Sequence, residues 1–160
     1  MNEPKIVELP DRAYVGLPGT VTMETLGTMA DRLPEVLGWL VARGVEPEGA
    51  PFFRYNVIDM ERELEVEVGW PVAAAVPVEG ELVAGVLPGG RYVSVVHVGH
   101  YEGLYGATDA LLKWAHAKGL EWDRDGDRWG ARLELYHTNP AEQPDSTKWE
   151  TELQFRLAEH

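Results

Sequence analysis

One eight-residue phrase occurs twice in this chain. LGWLVARG at 37–44 returns as LKWAHAKG at 112–119, and Leu37/Leu112, Trp39/Trp114, Ala42/Ala117 and Gly44/Gly119 all lie 75 positions apart. In both copies a glycine follows a basic residue at the end of an amphipathic run, the pattern of a helix stopped by a residue that tolerates positive φ. An extended segment of β-branched and aromatic residues precedes each run, RAYVGLPGTVTM in the first half and RYVSVVHV in the second. Two strand candidates follow each, PFFRYNVID and ELEVEVGWPV, then WGARLELYH and KWETELQFRL. The last strands place a glutamate at matching points, Glu67 before Val-Gly-Trp and Glu152 before Leu-Gln-Phe. Two copies at this period do not make a solenoid. They read as a duplicated βαββ unit within one domain over 1–160, with half-repeats at roughly 1–80 and 81–160 and a pseudo-two-fold axis between them.

That order predicts an α+β fold: a largely antiparallel sheet with two helices on one face. Pro and Gly punctuate the middle, PVAAAVPVEGELVAGVLPGG at 71–90, which reads as a connector. Alternation puts Leu64, Val66, Val68 and Trp70 on one face of their strand, opposite Glu63, Glu65 and Glu67. Leu153 and Phe155 likewise oppose Glu152 and Gln154, and Leu133 and Leu135 oppose Arg132, Glu134 and Tyr136. One face is thus expected to be apolar beneath the helices, with Trp39 and Trp114 as matching core residues. The other is expected to be acidic, with Tyr55 or Tyr136 nearby.

Charge and composition remove several classes. Fourteen Lys+Arg against 27 Asp+Glu give a formal net charge of −13, which opposes binding to nucleic acid or an anionic membrane. The absence of cysteine excludes disulfides, thiolate zinc sites and cysteine nucleophiles. Neither a signal peptide nor a membrane span is legible, so a cytoplasmic location is expected. Ser94 and Ser146 lie outside any Gly-x-Ser-x-Gly elbow. His97 and His100 are three apart near a strand end, and His116, His137 and His160 are scattered, so no metal site is expected and no cofactor is implied. EWDRDGDRW lacks the spacing of a calcium loop and reads as a polar hairpin, while PGG at 88–90 precedes a strand and reads as a turn.

Glu134, inside RLELYHTNP at 132–140, is the residue to decide. Periodicity favours a solvent-facing strand carboxylate. The aromatic supply around it, Tyr136 on its own face and Tyr101 and Tyr105 at the start of the second helix, fits the charged floor of a binding site instead.

The two-half layout, with HVGHYEGLYGATDALLKWAHAKGL, RLELYHTNP and TELQFRL in order, resembles the GyrI-like family, the effector-binding domain of AraC-type and MerR-type multidrug-responsive regulators. The resemblance implies two βαββ units flanking a groove that takes lipophilic, often cationic, small molecules. The family's ligand-contacting glutamate sits in a Glu-x-Tyr strand, matched here by Glu134-Leu135-Tyr136, with Glu152 a second candidate and Tyr55, Tyr101 and Tyr105 as aromatic neighbours. It implies two alternatives as well. One is a small-molecule hydrolase with Glu134 as general base and Tyr136 or Tyr101 as hydroxyl donor. The other is an interaction module for a basic protein partner, like the gyrase-inhibitory members. The duplication begins almost at Met1, so a free-standing domain without a helix-turn-helix region is expected.

Overall fold

The computed structural model describes residues 3–59 and 61–158. Its strands are β1 (Lys5–Leu9), β2 (Arg12–Val21), β3 (Phe52–Ile58), β4 (Leu64–Val72), β5 (Val83–Leu87), β6 (Gly90–Val98), β7 (Arg124–Asp125), β8 (Arg128–Trp129), β9 (Arg132–Tyr136) and β10 (Glu150–Arg156). A single helical turn, α1 (Gly27–Ala30), leads into α2 (Leu33–Ala42), and α3 (Leu104–Ala117) is its counterpart in the second half. The repeated units are therefore β2-α2-β3-β4 and β6-α3-β9-β10. The main sheet runs β1-β6-β10-β9-β3-β4-β2-β5 with antiparallel pairing, and the β7–β8 hairpin hangs from β3.

The two main helices end alike because their sequences do. Gly44 and Gly119 have φ of 70° and 71°. The Val45 and Leu120 amides reach back to the Leu40 and Ala115 carbonyls, closing the same motif at both ends. Trp39 stacks under the Arg43 guanidinium at 3.9 Å and Trp114 under the Lys118 ammonium at 5.5 Å. Both indoles are half-buried and cover the margin of the core, while Val36 and Leu40, matched by Leu111 and Ala115, occupy its centre. An indole can shield apolar neighbours with one face and hold a cation on the other.

The sheet cannot be flat. β1 and β2 lie toward opposite ends of the strand order, yet only Pro10 and Asp11 separate them, allowing at most about 11 Å between the Leu9 and Arg12 Cα atoms. The sheet must curl until its ends meet. Lys5–Leu9 pairs with Gly90–Ser94 and Arg12–Gly16 pairs with Val83–Leu87, so each half's leading strand is bonded into the other half. Where the two long chains pass, the Gly89 amide donates to Asp11 Oδ1 at 2.6 Å. A Cβ on Gly89 would lie 3.0 Å from both Asp11 N and Leu9 O. The 71–90 segment is thus more than a connector, since it contains β5; β1 is a further strand the local pattern did not announce.

Curling buries both faces. On the helix side, Leu17, Val66, Val68 and Phe53 pack under α1 and α2, and Val93, Val95, Leu153 and Phe155 pack under α3. Inside the curl, Tyr14, Phe52, Leu87, Tyr92, Leu133 and Leu135 form a third cluster. This corrects the face assignment of β9. Leu133 and Leu135 fill the interior, and Glu134 lies on the helix side. The alternation was read correctly, but a sheet with two buried faces offers an apolar destination on either side. The acidic face survives only in part: Glu63 and Glu65 are exposed, whereas Glu67 accepts hydrogen bonds from Tyr14 Oη (2.6 Å) and Asn56 Nδ2 (2.7 Å).

Candidate functional site

Leu9-Pro10 and Tyr14 recur as Leu87-Pro88 and Tyr92, a second internal match at a separation of 78. Superposing them and following the ladders inward carries Glu67 onto Glu152, Tyr55 onto Tyr136 and Phe53 onto Glu134. Phe53 and Glu134 are themselves direct cross-strand partners. The pseudo-two-fold axis therefore passes through this pair, at the centre of the sheet.

One register row on the helix side reads Leu17, Val68, Phe53, Glu134, Leu153, Val95. Glu134 is its only polar member. Above it, between α2 and α3, opens a groove of about 1320 Å³. Leu33 and Leu37 wall one side and Leu104 and Leu112 the other; Leu37 and Leu112 are the repeat partners noted above. Trp70 donates its indole N–H to the Leu33 carbonyl at 2.9 Å, pinning the start of α2 at the rim of the sheet.

Two tyrosines related by the pseudo-axis converge on one oxygen. Tyr55 Oη and Tyr136 Oη each donate to Glu134 Oε1, both at 2.9 Å. No described residue donates to Oε2, and Glu134 keeps part of its surface open to the groove. Burial raises the Glu134 pKa, while the two hydroxyls and the charge of Arg132 act against that rise. Burial, with the adjacent carboxylate, also holds both tyrosines well above the usual phenol range, so they remain donors. Phe53 supports the pair, stacked with Tyr55 (5.8 Å) and edge-on to Tyr136 (5.9 Å). Tyr101 meets Tyr136 edge-on at 5.6 Å and leans on Trp149 at 4.8 Å.

Among the expected site residues, Glu134, Tyr136, Tyr101, Tyr105 and Tyr55 all line this groove. Tyr105 stands at its mouth, 77% exposed. Glu152 does not line it. It pairs in register with Leu135 and so points into the curl, where it accepts from Ser94 Oγ (2.6 Å) and Gln154 Nε2 (2.6 Å) and faces His137 Nε2 (2.8 Å). Glu152 echoes Glu67, not Glu134. Phe53 was missed as a lining residue and Trp149 as the ring behind Tyr101, because their roles depend on strand register and ring packing between distant segments. Arg132 was read only as a face-mate of Glu134. Its guanidinium lies 4.6 Å from the Trp129 ring centre and 4.6 Å from that of Phe155, and burial lowers its pKa to about 10.

Among the described residues no group of three or more His, Asp or Glu could hold a metal, and no helix is long and apolar enough to cross a membrane. His160 lies outside the described residues.

The family model described as GyrI-like small molecule binding domain matches residues 2–158. No curated protein matches the chain. Among solved structures, the EcmrR C-terminal domain is 21% identical with a TM-score of 0.83, covering 99% of this chain and 98% of that one. EcmrR in its DNA complex is 22% identical with a TM-score of 0.82; 99% of this chain is covered, and it spans 58% of that longer chain. SAV2435 bound to tetraphenylphosphonium is 12% identical with a TM-score of 0.69, over 98% of this chain and 94% of that one. At these identities the structural likenesses establish the fold.

Proposed function

The chain belongs to the GyrI-like small-molecule-binding family, and from that premise we propose that it binds lipophilic cations in the groove between α2 and α3, as a sensor or a sequestering protein. The observation that carries this reading is the single carboxylate in an apolar row lining the groove, with Oε1 held by two hydroxyls and Oε2 given no hydrogen bond by a described residue. A carboxylate set among apolar side chains has lost much of its hydration, and a weakly hydrated cation compensates for that loss better than a small, strongly hydrated one. Tyrosine faces add roughly 0.5–2 kcal/mol each toward a cation that reaches them. SAV2435, similar in fold, has been solved with tetraphenylphosphonium, a cation of this class.

Titration calorimetry with tetraphenylphosphonium tests the reading. Glu134→Gln keeps the shape and removes the charge, and truncating a buried charge partner costs about 2–5 kcal/mol, or roughly 30- to several-thousand-fold in Kd. Neutral triphenylphosphine oxide should bind wild type more weakly than the phosphonium. Equal phosphonium affinity for both proteins would make Glu134 an ordinary strand carboxylate.

A hydrolase is the second reading, favoured by a buried carboxylate of raised pKa 2.9 Å from two hydroxyls. Against it, both hydroxyls donate to Glu134 itself. Mass spectrometry of a susceptible ester or strained-ring compound after incubation separates binding from turnover. The acidic rim of Glu102, Asp109 and Glu142 suits a cation and equally a basic protein partner. Groove variants that lose small-molecule affinity but retain such a partner would favour the interaction-module reading.

A further inference from the structure

We propose that the groove continues past Arg132 into a subsite for an anionic group, so that its preferred ligands are amphoteric: a lipophilic cationic body carrying a carboxylate. This rests on the reading of the groove as a cation site and refines it.

A second cavity of about 540 Å³ lies beside the groove and shares two of its lining residues, Leu112 and Arg132. Its other walls include Trp122, Trp129, Arg124, His116 and Glu121. The Arg124 and Arg132 guanidiniums both approach the Trp129 ring, at 5.5 and 4.6 Å, and Phe155 flanks Arg132 on its other side. Ring faces interact with the flat faces of a guanidinium and leave its in-plane N–H donors unused. Among the described residues those donors have no taker. No described residue gives either guanidinium a hydrogen-bond acceptor or a carboxylate at ion-pair distance, although acidic groups outnumber basic ones 27 to 14. Arg32, Arg43, Arg62 and Arg156 each have such a carboxylate.

Arg132 lacks such a carboxylate although one stands close by. Arg132 and Glu134 sit two residues apart on the same face of β9, about 7 Å along the strand, without forming an ion pair. The floor thus holds two opposite charges that favour each other's ionised form at a distance and make no direct contact. A ligand with charges at a comparable spacing could satisfy both, its cation at Glu134 Oε2 and its carboxylate in bidentate contact with Arg132. Arg124, exposed at the outer wall, would add a second positive charge behind that carboxylate.

Rhodamine B and its ethyl ester supply the test, because they share the cationic ring system and differ in whether the benzoate is free. Fluorescence anisotropy should give wild type at least tenfold tighter binding of the free acid at neutral pH. Arg132→Leu should bring that ratio to one or below. Arg124→Ala, at an exposed position, should lower the ratio several-fold and serves should Arg132→Leu fail to fold. Failure of wild type to bind tetraphenylphosphonium overturns the groove reading and this one with it. Phosphonium binding with an acid-to-ester ratio near one, or a ratio indifferent to both substitutions, overturns the subsite alone.

Discussion

Replacing Tyr55 by Phe removes one oxygen and leaves its ring against Phe53. The lost bond is one of two, each 2.9 Å, that favour the ionised form of Glu134 against the burial that opposes it. A hydrogen bond to a charged group contributes about 1.5–3 kcal/mol, so Tyr55→Phe should raise the proton affinity of Glu134 roughly 10- to 100-fold. The sign follows directly. With one hydroxyl gone, burial prevails further, the carboxyl holds its proton to higher pH, and the cation loses its counter-charge sooner on acidification. Cation affinity should be flat at high pH and fall about tenfold per pH unit below the Glu134 pKa. In Tyr55→Phe that break should move up by about one to two pH units. Tyr136→Phe should match it, because the two hydroxyls reach the same oxygen from pseudo-equivalent positions. The assay is tetraphenylphosphonium titration from about pH 5 to 9. Tyr101→Phe is the control, since Tyr101 touches Tyr136 through its ring and gives Glu134 no hydrogen bond. Superposable profiles for wild type and both Tyr→Phe variants would refute the proposed role of the hydroxyls.

Three further outcomes are expected. Because burial raises the Glu134 pKa, the ionised side chain costs stability that grows as pH rises from its unfolded to its folded pKa; Glu134→Gln should therefore melt higher at neutral pH, by about 1 kcal/mol or roughly 2–4 °C. Gly44→Ala and Gly119→Ala should each cost about 1–2 kcal/mol in urea unfolding, and equally, since both lie near φ +70° with nothing within 4 Å of the added Cβ. Inside the curl, burial opposes ionisation of Glu152, but hydrogen bonds from His137, Ser94 and Gln154 outweigh it and bring the carboxyl to about 2; the bond to Glu152 in turn raises His137. Glu152 then contributes stability present above its unfolded value near 4.3 and lost as pH falls toward 2, and His137 contributes stability present below about 6.5 and lost as pH rises through its folded value, so melting temperature should peak between those limits and His137→Gln should flatten the alkaline limb.

The parts of this fold that were legible are those whose cause is local. The helix stops at Gly44 and Gly119 follow from a glycine after an amphipathic run, and β3, β4, β9 and β10 follow from alternation within a few residues. β1 and β5 were hidden because each is five residues long and pairs with a segment about 70–90 positions away, so the flanking Pro and Gly marked turns without revealing a strand between them. Glu134 and Tyr136 could be named together because they are two residues apart on one strand. That Tyr55 donates to the same Oε1 depends on the β3–β9 pairing, which periodicity does not encode. Glu152 was misplaced for the same reason: alternation tells which residues share a face and not which face meets the groove.

The position of Glu134 on the pseudo-axis has an evolutionary corollary. An exact two-fold dimer of either half would place identical residues at the paired positions now held by Phe53 and Glu134. With glutamate at both, two carboxylates would crowd one row of the sheet and compete for a proton. With phenylalanine at both, no charge would face a ligand. Joining the halves into one chain lets the two positions mutate independently, so that one supplies an apolar platform and the other a lone anion, while Tyr55 and Tyr136 remain a matched pair around it. A monovalent receptor for a single cation is thus accessible to the fused duplicate and closed to its symmetric parent.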